Sequence, residues 1–393
     1  MKVNFFLVTF FLLCIHVSAQ YYSTGQDPAS LRWQHIRTKN YDLIFPEHFK
    51  PKAQYLANVL DIIGRHETFT LESKVPRIPM VLHTQTVTSN GVTVWAPKRI
   101  EMYTCPPQQT YPEEWLEQLA IHEYRHAVQI SKINQGFSKA LYYVFGEQIT
   151  GGILGLYVPA WFLEGDATVT ETALTKTGRG RSALFESTLR AQIIEKGPYS
   201  YDKATLGSYK TFTPDAYSLG YYLVGESRKK YGPELWNTAL NRVARLPFMV
   251  VPFNSGIRKA TGLWKTGLYK STLAKLDSVW RRQLLASEHI QPTYLTTRNP
   301  KNHQVYDHPL FINDSTIVAE KSSMDDVKRF VILNRNTGKE KRLLTPGNQI
   351  TGTTSVGGGW LAWAERQNDA RWANRNFTRI RLYNFRTGKI KTL

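Results

Sequence analysis

The sequence predicts an α+β protein in which a small α/β lobe and a mostly helical lobe precede an all-β region. Strand and helix patterns alternate in residues 30–108, and apolar residues recur at helical spacing in residues 109–290. Short strands separated by turn residues fill residues 309–393. With 393 residues and a hydrophobic fraction of 42%, the chain is long enough for more than one domain and is not a disordered polymer.

The first 19 residues have the pattern of a secretory signal peptide. A lysine precedes an apolar run at residues 5–15, and small residues stand before the predicted cut after Ala19. The sequence therefore predicts an exported protein that is periplasmic, outer-membrane-associated or extracellular.

The cysteine content excludes a disulfide-stabilised class. Loss of the signal peptide leaves Cys105 as the only cysteine, so no intramolecular disulfide can form. Stability must come from packing, and from a metal ion if the chain holds one.

The chain is strongly basic, with a formal charge of +19 from 50 Lys and Arg against 31 Asp and Glu. This charge favours attraction to acidic surfaces such as anionic lipid headgroups or acidic polymers, and the alternative is a solvated basic surface without a specific partner. Because the basic residues are dispersed and the chain is predicted to be exported, we expect no nucleic-acid partner.

The α/β lobe, residues 30–108, contains the clearest strand patterns. Residues 41–45 (YDLIF) and 78–83 (IPMVLH) predict strands that flank a helix at residues 52–69. The SNG tripeptide at residues 89–91 is a turn signal, and short alternating segments follow it on both sides of Pro97.

The helical lobe, residues 109–290, begins with Thr110 as a predicted N-cap and Glu113 as its capping-box partner. Gly136 is predicted to end this first helix. One face of the helix carries Leu116, Leu119, Glu123, His126, Ile130 and Ile133. Further helices are predicted at residues 159–177, 182–195, 217–231, 234–243 and 271–289.

A polar stretch at residues 291–308 is predicted to be a linker to the all-β region. Beyond it, the motif N-x-x-T-G-K occurs at residues 334–339 and 384–389, a period of 50 residues that fits propeller blades. Two such units cannot close a propeller, which needs about four blades or more. We expect either the start of a longer propeller or a packing that the sequence does not predict.

The segment HEYRH at residues 122–126 has the spacing of a zinc-binding helix. Residues four apart lie on one helical face, so His122 and His126 can direct one nitrogen each at a single ion, and Glu123 beside them can act as a general base. The motif alone is also compatible with an ordinary amphipathic helix.

A catalytic zinc site needs a third protein ligand. The metzincin pattern would place Gly at 129 and His at 132, but the chain has Gln129 and Lys132, so that class is excluded. Glu164, in WFLEG just inside a helix that Pro159 can start, is the candidate. The alternative is that Glu164 only caps a first helical turn and that His126 is a satisfied core histidine.

Three motifs in this order, HEYRH, WFLEG and Y-x-x-G at residues 217–220, resemble those of the gluzincin metallopeptidases. The similarity is to the peptidase MA-like proteins and, more distantly, to aminopeptidase N. It covers residues 30–290 and implies a thermolysin-like catalytic domain. It also implies zinc ligands at His122, His126 and Glu164, a general base at Glu123, and an oxyanion-binding Tyr217. The alternative for Tyr217 is an aromatic core residue.

Two departures weaken an aminopeptidase interpretation. Residues 127–163 separate His126 from Glu164, a longer interval than is usual for aminopeptidases, and the strand after residue 91 lacks the substrate-amine motif G-x-M-E-N. In the inserted residues 140–163, Glu147 is the only charge. Both ends of the insertion must meet at one ion, so we expect a hairpin that forms core, touches a membrane surface or holds an apolar substrate.

We therefore predict an exported zinc metallopeptidase acting on a peptide or protein, with a catalytic domain at residues 20–290 followed by TolB-like propeller units that recruit a protein partner or gate the cleft. The rival is a non-catalytic envelope binding protein with a relic or structural zinc site. Glu123 favours catalysis, because a structural site needs no base, and Cys105 is expected to be buried filler. Endopeptidase and exopeptidase action stay open, as does whether the chain is a fragment.

Overall fold

The computed structural model describes residues 26–74, 76–107, 114–288, 292–297, 299 and 301–393. The predicted signal peptide lies outside the described residues, and so do Thr110 and its capping partner Glu113. The first helix of the helical lobe is described from Trp115.

The α/β lobe is a five-stranded sheet in the order β1-β2-β3-β5-β4 with one long helix. Strands β2, β3 and β5 are parallel, and the outer strands β1 and β4 are antiparallel to their neighbours. The elements are β1 (Trp33–Arg37), β2 (Tyr41–Pro46), α1 (Lys50–Phe69), β3 (Ile78–His83), β4 (Ser89–Trp95) and β5 (Lys98–Thr104). The strands and the helix predicted in this lobe are confirmed.

The turn predicted at residues 89–91 is wrong, because Gly91 lies within β4 and pairs with Met102. The hairpin instead turns at residues 96–97, between Trp95 and Lys98. A Cβ on Gly91 would lie 2.6 Å from Cγ of Glu123. The glycine is therefore needed where a helix passes close to the strand, and this contact overrides the local turn signal.

Among the described residues, ten helices and one 3-10 turn (Arg179–Arg181) form the helical lobe. The helices are α2 (Trp115–Ile133), α3 (Gly136–Phe145), α4 (Glu147–Tyr157), α5 (Ala160–Leu174), α6 (Ala183–Lys196), α7 (Tyr201–Leu206), α8 (Ala216–Tyr231), α9 (Leu235–Arg245), α10 (Pro252–Thr261) and α11 (Lys265–Leu285). The predicted helices are present, although the last begins six residues before the predicted residue 271. Helices α3, α4, α7 and α10 were not predicted.

The α/β and helical lobes share one hydrophobic core, which runs from strand residues such as Leu43 and Met80 to helix residues such as Trp236. Within the described residues, no helix is both long and apolar enough to cross a membrane.

Two antiparallel four-stranded sheets follow, each with its strands in sequence order. They consist of β6 (Gln304–Asn313), β7 (Thr316–Ser323), β8 (Arg329–Asn334), β9 (Glu340–Leu344), β10 (Ser355–Gly357), β11 (Trp360–Asn368), β12 (Asn376–Asn384) and β13 (Ile390–Thr392). Strand β6 begins inside the predicted linker at residues 291–308, so part of that stretch is strand.

The repeated N-x-x-T-G-K motif forms the same turn in both sheets. The Asn334 side-chain oxygen accepts hydrogen bonds from the backbone N–H groups of residues 336 and 337, and Asn384 does the same two and three residues on. Gly338 and Gly388 have φ angles of 67° and 68°, which favour glycine. The repeat is therefore explained as a hairpin turn.

Candidate metal centre

Helix α2 carries the H-E-x-x-H residues on the side that faces the protein interior. His122 is 4% exposed and Glu123 5% exposed, and His126 is partly buried. The helix lies between the sheet of the α/β lobe and helix α5, and it contacts both β4 and β5. Both lobes therefore contribute residues around the histidine pair.

Helix α5 brings Glu164 to the two histidines, and we call these three residues the ligand cluster. The Nε2 atoms of His122 and His126 are 3.3 Å apart. Glu164 Oε2 lies 3.2 Å from Nε2 of His122 and 3.5 Å from Nε2 of His126. One ligand atom from each residue lies within 4.8 Å of the other two.

Glu164 is the fifth residue of α5, which begins at Ala160 after Pro159 as N-cap. The first turn of α5 holds no acidic residue, so the alternative that Glu164 only caps a first turn is wrong. Gln129 contacts Nδ1 of His126 and Glu164 contacts Nε2, an arrangement that a metal-binding histidine and a satisfied core histidine share.

Helices α5 and α8 cross at two glycines, Gly165 and Gly220. A Cβ on Gly220 would lie 2.8 Å from Cα of Gly165, and one on Gly165 would lie 2.5 Å from the carbonyl oxygen of Gly220. The backbones are therefore in direct contact. This contact explains the glycines of WFLEG and Y-x-x-G. Glu164 is next to Gly165, and Tyr217 lies one turn before Gly220, so the crossing brings both side chains to the same place.

Tyr217 lies beside the ligand cluster. Its ring stacks on His122 with centroids 5.8 Å apart, and the Arg179 guanidinium lies 5.0 Å from its ring centroid. Burial, followed by the negative charge of Glu164, raises the pKa of the phenol, so Tyr217 is a neutral hydrogen-bond donor at neutral pH. Tyr221, one turn later, contacts Phe185 and not the cluster.

Glu123 points toward the edge strand β4. Its Oε2 accepts a hydrogen bond of 2.9 Å from the Thr93 hydroxyl, which also bonds the Glu123 carbonyl oxygen at 2.8 Å. Gly91 leaves the room for this carboxylate. Glu123 is thus held by β4, while the neighbouring histidines face Glu164.

A carboxylate that the sequence did not reveal stands behind His122. Glu171 Oε2 lies 2.9 Å from His122 Nδ1, and Arg179 binds the same carboxylate through Nε at 2.6 Å and Nη2 at 2.8 Å. Burial alone would raise the pKa of Glu171, but His122 and Arg179 lower it to about 2. Such an acid fixes the ring and leaves Nε2 for the ligand cluster.

A second buried group stands behind His126. Gln129 Oε1 lies 3.0 Å from His126 Nδ1, and Gln129 Nε2 donates to Asp166 at 2.8 Å. Asp166 also accepts bonds of 2.7 and 2.9 Å from Arg125, and Arg228 contacts it from α8. Arg125 and Asp166 are 0% exposed. Arg125, which stands between the motif histidines, and Gln129, which follows them, therefore help to hold His126 in place.

Glu67, on α1, is a buried acid at the edge of this network. Its carboxylate oxygens have no hydrogen-bond partner among the described residues. Burial raises its pKa to about 8, so Glu67 is mainly protonated at neutral pH and adds little charge near Arg125.

The charges of the ligand cluster favour a cation between its three members. Burial alone would raise the pKa of Glu164, but the hydrogen bonds from His122 and His126 hold it well below its usual range. Burial disfavours a charged His126, yet Glu164 raises its pKa to about 9. The groups that stabilise a proton here can also stabilise a divalent metal ion.

The donor set fits zinc. Two imidazoles and one carboxylate are the protein ligands of one catalytic type of zinc site, and three ligands leave a fourth position open. Both Nδ1 atoms are held from behind, so both Nε2 atoms can turn toward one ion. Cys105, predicted to be buried filler, is half-buried with Sγ 3.7 Å from the Pro106 carbonyl oxygen, and it does not belong to the cluster.

Comparison with known proteins gives matches among solved structures only. No protein-family model matches the sequence, and no match was found among curated proteins. Among solved structures, the chain is similar to the crystal structure of an aminopeptidase N family protein from Idiomarina loihiensis, with 11% identity and a TM-score of 0.39. The match covers 93% of this chain and 66% of that chain's length. Similarity at this level does not establish a shared fold. What stands from the residues themselves is a mixed α and β chain with a His, His, Glu cluster.

Proposed function

We propose that this chain is an exported zinc-dependent metallopeptidase that hydrolyses peptide bonds. The observation that carries the proposal is the convergence of His122, His126 and Glu164 within 4.8 Å, with a carboxylate on the residue next to His122. A structural zinc site would need no such carboxylate and would usually complete its coordination with a further Cys or His.

His122, His126 and Glu164 would hold the zinc ion. When bound, zinc supplies Lewis acidity toward a carbonyl oxygen and a water molecule. Glu171 and Gln129 keep the two imidazole rings oriented, which matters because a displaced ligand weakens both metal binding and positioning.

Glu123 would take the proton from the attacking water and give it to the leaving amine. A carboxylate buried to 95% can serve as such a base only if it is oriented and reachable, and the Thr93 hydroxyl orients it. Tyr217 would donate a hydrogen bond to the oxyanion that develops on the carbonyl, since its phenol stays neutral beside the cluster.

The edge strand β4 supports a peptide as the substrate class. It is the outermost strand of its sheet among the described residues, and it carries both Gly91 and Thr93 against Glu123. An extended peptide can add to such an edge through backbone hydrogen bonds. The peptide bonds of the added strand would then lie next to the proposed base.

The two C-terminal sheets would be the start of a TolB-like propeller that recruits a partner or gates the cleft. Support for gating comes from the second sheet, where Asn376 Oδ1 accepts a 2.6 Å hydrogen bond from the backbone N–H of Val87. Asn374 Nδ2 donates to Asp27 at 2.9 Å and lies 3.2 Å from His83 Nδ1. Val87 lies two residues before Ser89, where β4 begins, so movement of the sheet would reach the substrate edge.

The test combines metal analysis with cleavage of a peptide library read by mass spectrometry. Wild-type protein is expected to cleave peptides, and Glu123→Gln should keep its zinc while turnover falls by about 10² to 10⁴-fold. Glu117→Gln is the matched control, because Glu117 lies on the same helix and its carboxylate contacts the exposed Tyr55 hydroxyl.

Wild-type turnover in Glu123→Gln would show that the assigned base is wrong. Zinc binding without any cleavage in wild-type protein would favour the rival function, a binding protein that acts through its C-terminal sheets.

A further inference from the structure

The hairpin of helices α3 and α4 exposes apolar side chains to solvent. The side of α3 that faces away from the protein carries Phe137, Tyr143 and Val144, which are 48%, 74% and 73% exposed. Lys139 is the only charged residue of this helix. A surface helix ordinarily places polar residues on the side that faces solvent, whereas α3 places apolar residues there.

The loop between α9 and α10 extends this exposed face. The rings of Phe137 and Phe248 lie 5.8 Å apart, and the Tyr157 hydroxyl donates a 2.6 Å hydrogen bond to the Pro247 carbonyl oxygen. Leu156 lines a shallow cavity of about 310 Å³ together with residues 250 and 251 of the loop. The apolar surface, as we name it, consists of Phe137, Tyr143, Val144, Phe145, Leu156, Phe248, Val250 and Val251.

The segment that carries the loop is entirely cationic. Residues 235–276 contain no Asp or Glu and seven basic residues, Arg242, Arg245, Arg258, Lys259, Lys265, Lys270 and Lys275, of which Lys275 pairs with Glu226 outside the segment. Lys265 lines the same cavity as Leu156. The acid of the hairpin, Glu147, accepts a 2.8 Å hydrogen bond from the backbone N–H of Lys98 and is therefore held against the protein.

We propose that the apolar surface docks on an anionic lipid bilayer. Exposed aromatic and aliphatic side chains next to a cationic segment match the two parts of such an interface, the acyl boundary and the negative headgroups. The 10 residues of α3 make a helix about 15 Å long, half the hydrocarbon thickness of a bilayer, so the hairpin lies in the interface and does not span it.

A protein partner fits this surface less well. Protein interfaces usually surround an apolar centre with a polar rim of mixed charge, whereas all charged residues in the segment 235–276 are basic. The docking is independent of the proposed peptidase activity, because vesicle binding needs neither substrate nor turnover.

The experiment is co-sedimentation of the exported chain, from Gln20 onward, with phosphatidylcholine vesicles that contain or lack phosphatidylglycerol. Wild-type protein is expected to bind the anionic vesicles and to bind neutral vesicles at least about tenfold more weakly. Binding to the anionic vesicles should weaken as the salt concentration rises from 0.1 to about 1 M, because the screening length falls from about 10 to 3 Å.

Two double variants test whether vesicle binding needs the apolar surface itself or any exposed apolar side chains. Val144→Asp with Phe248→Asp is expected to weaken binding to anionic vesicles by about tenfold or more, because two inserted side chains become charged. The matched control is Ile62→Asp with Leu184→Asp, whose side chains are 70% and 75% exposed and lie on α1 and α6. This control should bind within about twofold of wild type.

Equal binding to neutral and anionic vesicles, or wild-type binding by the Val144 and Phe248 variant, would overturn the proposal. So would a wild-type chain that ignores vesicles but forms dimers that the same variant dissociates, since the surface would then be an interface between copies. If the double variant does not fold, Val144→Ser alone is measured, and unchanged binding by it would count against the proposal.

Discussion

The surroundings of the ligand cluster bury charged side chains, whereas the apolar surface exposes hydrophobic ones. Behind the cluster, Arg125, Asp166 and Glu171 are fully buried, although charged residues ordinarily lie in water. On the apolar surface, Val144 and Leu156 are each 73% exposed, although such residues ordinarily lie in the core. Neither arrangement is the most favourable one for an isolated chain.

Each region leaves an interaction unmade. The buried charges behind the cluster have specific partners, and the cluster itself turns two imidazoles and one carboxylate toward one another, where they can share a cation. The apolar surface has few polar partners and leaves hydrophobic area in water. A cation would supply the interaction missing in the first region, and a bilayer would supply that missing in the second.

The largest expected effect is on stability, when the buried network loses its central acid. Asp166→Ala would leave Arg125 and Arg228 buried without a counter-ion, so the free energy of unfolding in urea should fall by about 3 to 5 kcal/mol. The control Asp277→Ala breaks an exposed pair with Arg281 and should cost less than about 1 kcal/mol. Similar losses in both variants would mean that the network is not a special feature of the site.

The next effect is on catalysis. Tyr217→Phe removes one oxygen and keeps the ring against His122, so kcat should fall by about a hundredfold or more while KM and zinc content change little. Tyr221→Phe, whose ring contacts Phe185, should keep its kcat. A lower melting temperature with an unaltered kcat would instead identify Tyr217 as a packing residue.

A smaller effect tests the helix crossing beneath the cluster. Gly220→Ala forces a Cβ against Gly165, so it should destabilise the protein by about 1 to 3 kcal/mol and weaken zinc binding through Glu164. Gly225→Ala, on the same helix, meets only Val169 at an ordinary 3.6 Å and should stabilise by about 0.5 to 1 kcal/mol. Equal effects in calorimetry would contradict the proposed close crossing.

The smallest effect is expected on the apolar surface. Val144→Ser should change the free energy of unfolding by no more than about 0.5 kcal/mol, because the side chain packs little in the folded protein. A loss comparable to that in a core substitution would show that Val144 contributes to the fold, and the contrast with Asp166 would then disappear.

The ligand cluster was predictable because its pattern is local. His122 and His126 are four residues apart on one helix, and Glu164 and Tyr217 stand in short motifs with glycine. The supporting residues were not predictable, since their contacts join distant parts of the chain. Arg179, for example, reaches His122 across 57 residues.

Two errors of fold prediction have the same origin. Helix α4 contains Gly151, Gly152 and Gly155, which lower intrinsic helix propensity, and a Cβ on Gly151 would lie 2.6 Å from Nε1 of Trp95. Gly91 was read as a turn residue but is required by the approach of Glu123. In both places a close tertiary contact selects glycine, and local propensity does not reveal the contact.

The proposed function depends on one zinc ion held jointly by His122, His126 and Glu164. Metal content of the purified chain, measured by mass spectrometry beside His122→Ala, His126→Ala and Glu164→Ala, tests it most directly. We expect one zinc per wild-type chain, and no stoichiometric zinc in any of the three variants when they remain folded. Stoichiometric zinc in the folded variants, or a wild-type chain that binds none at micromolar zinc, would contradict the account.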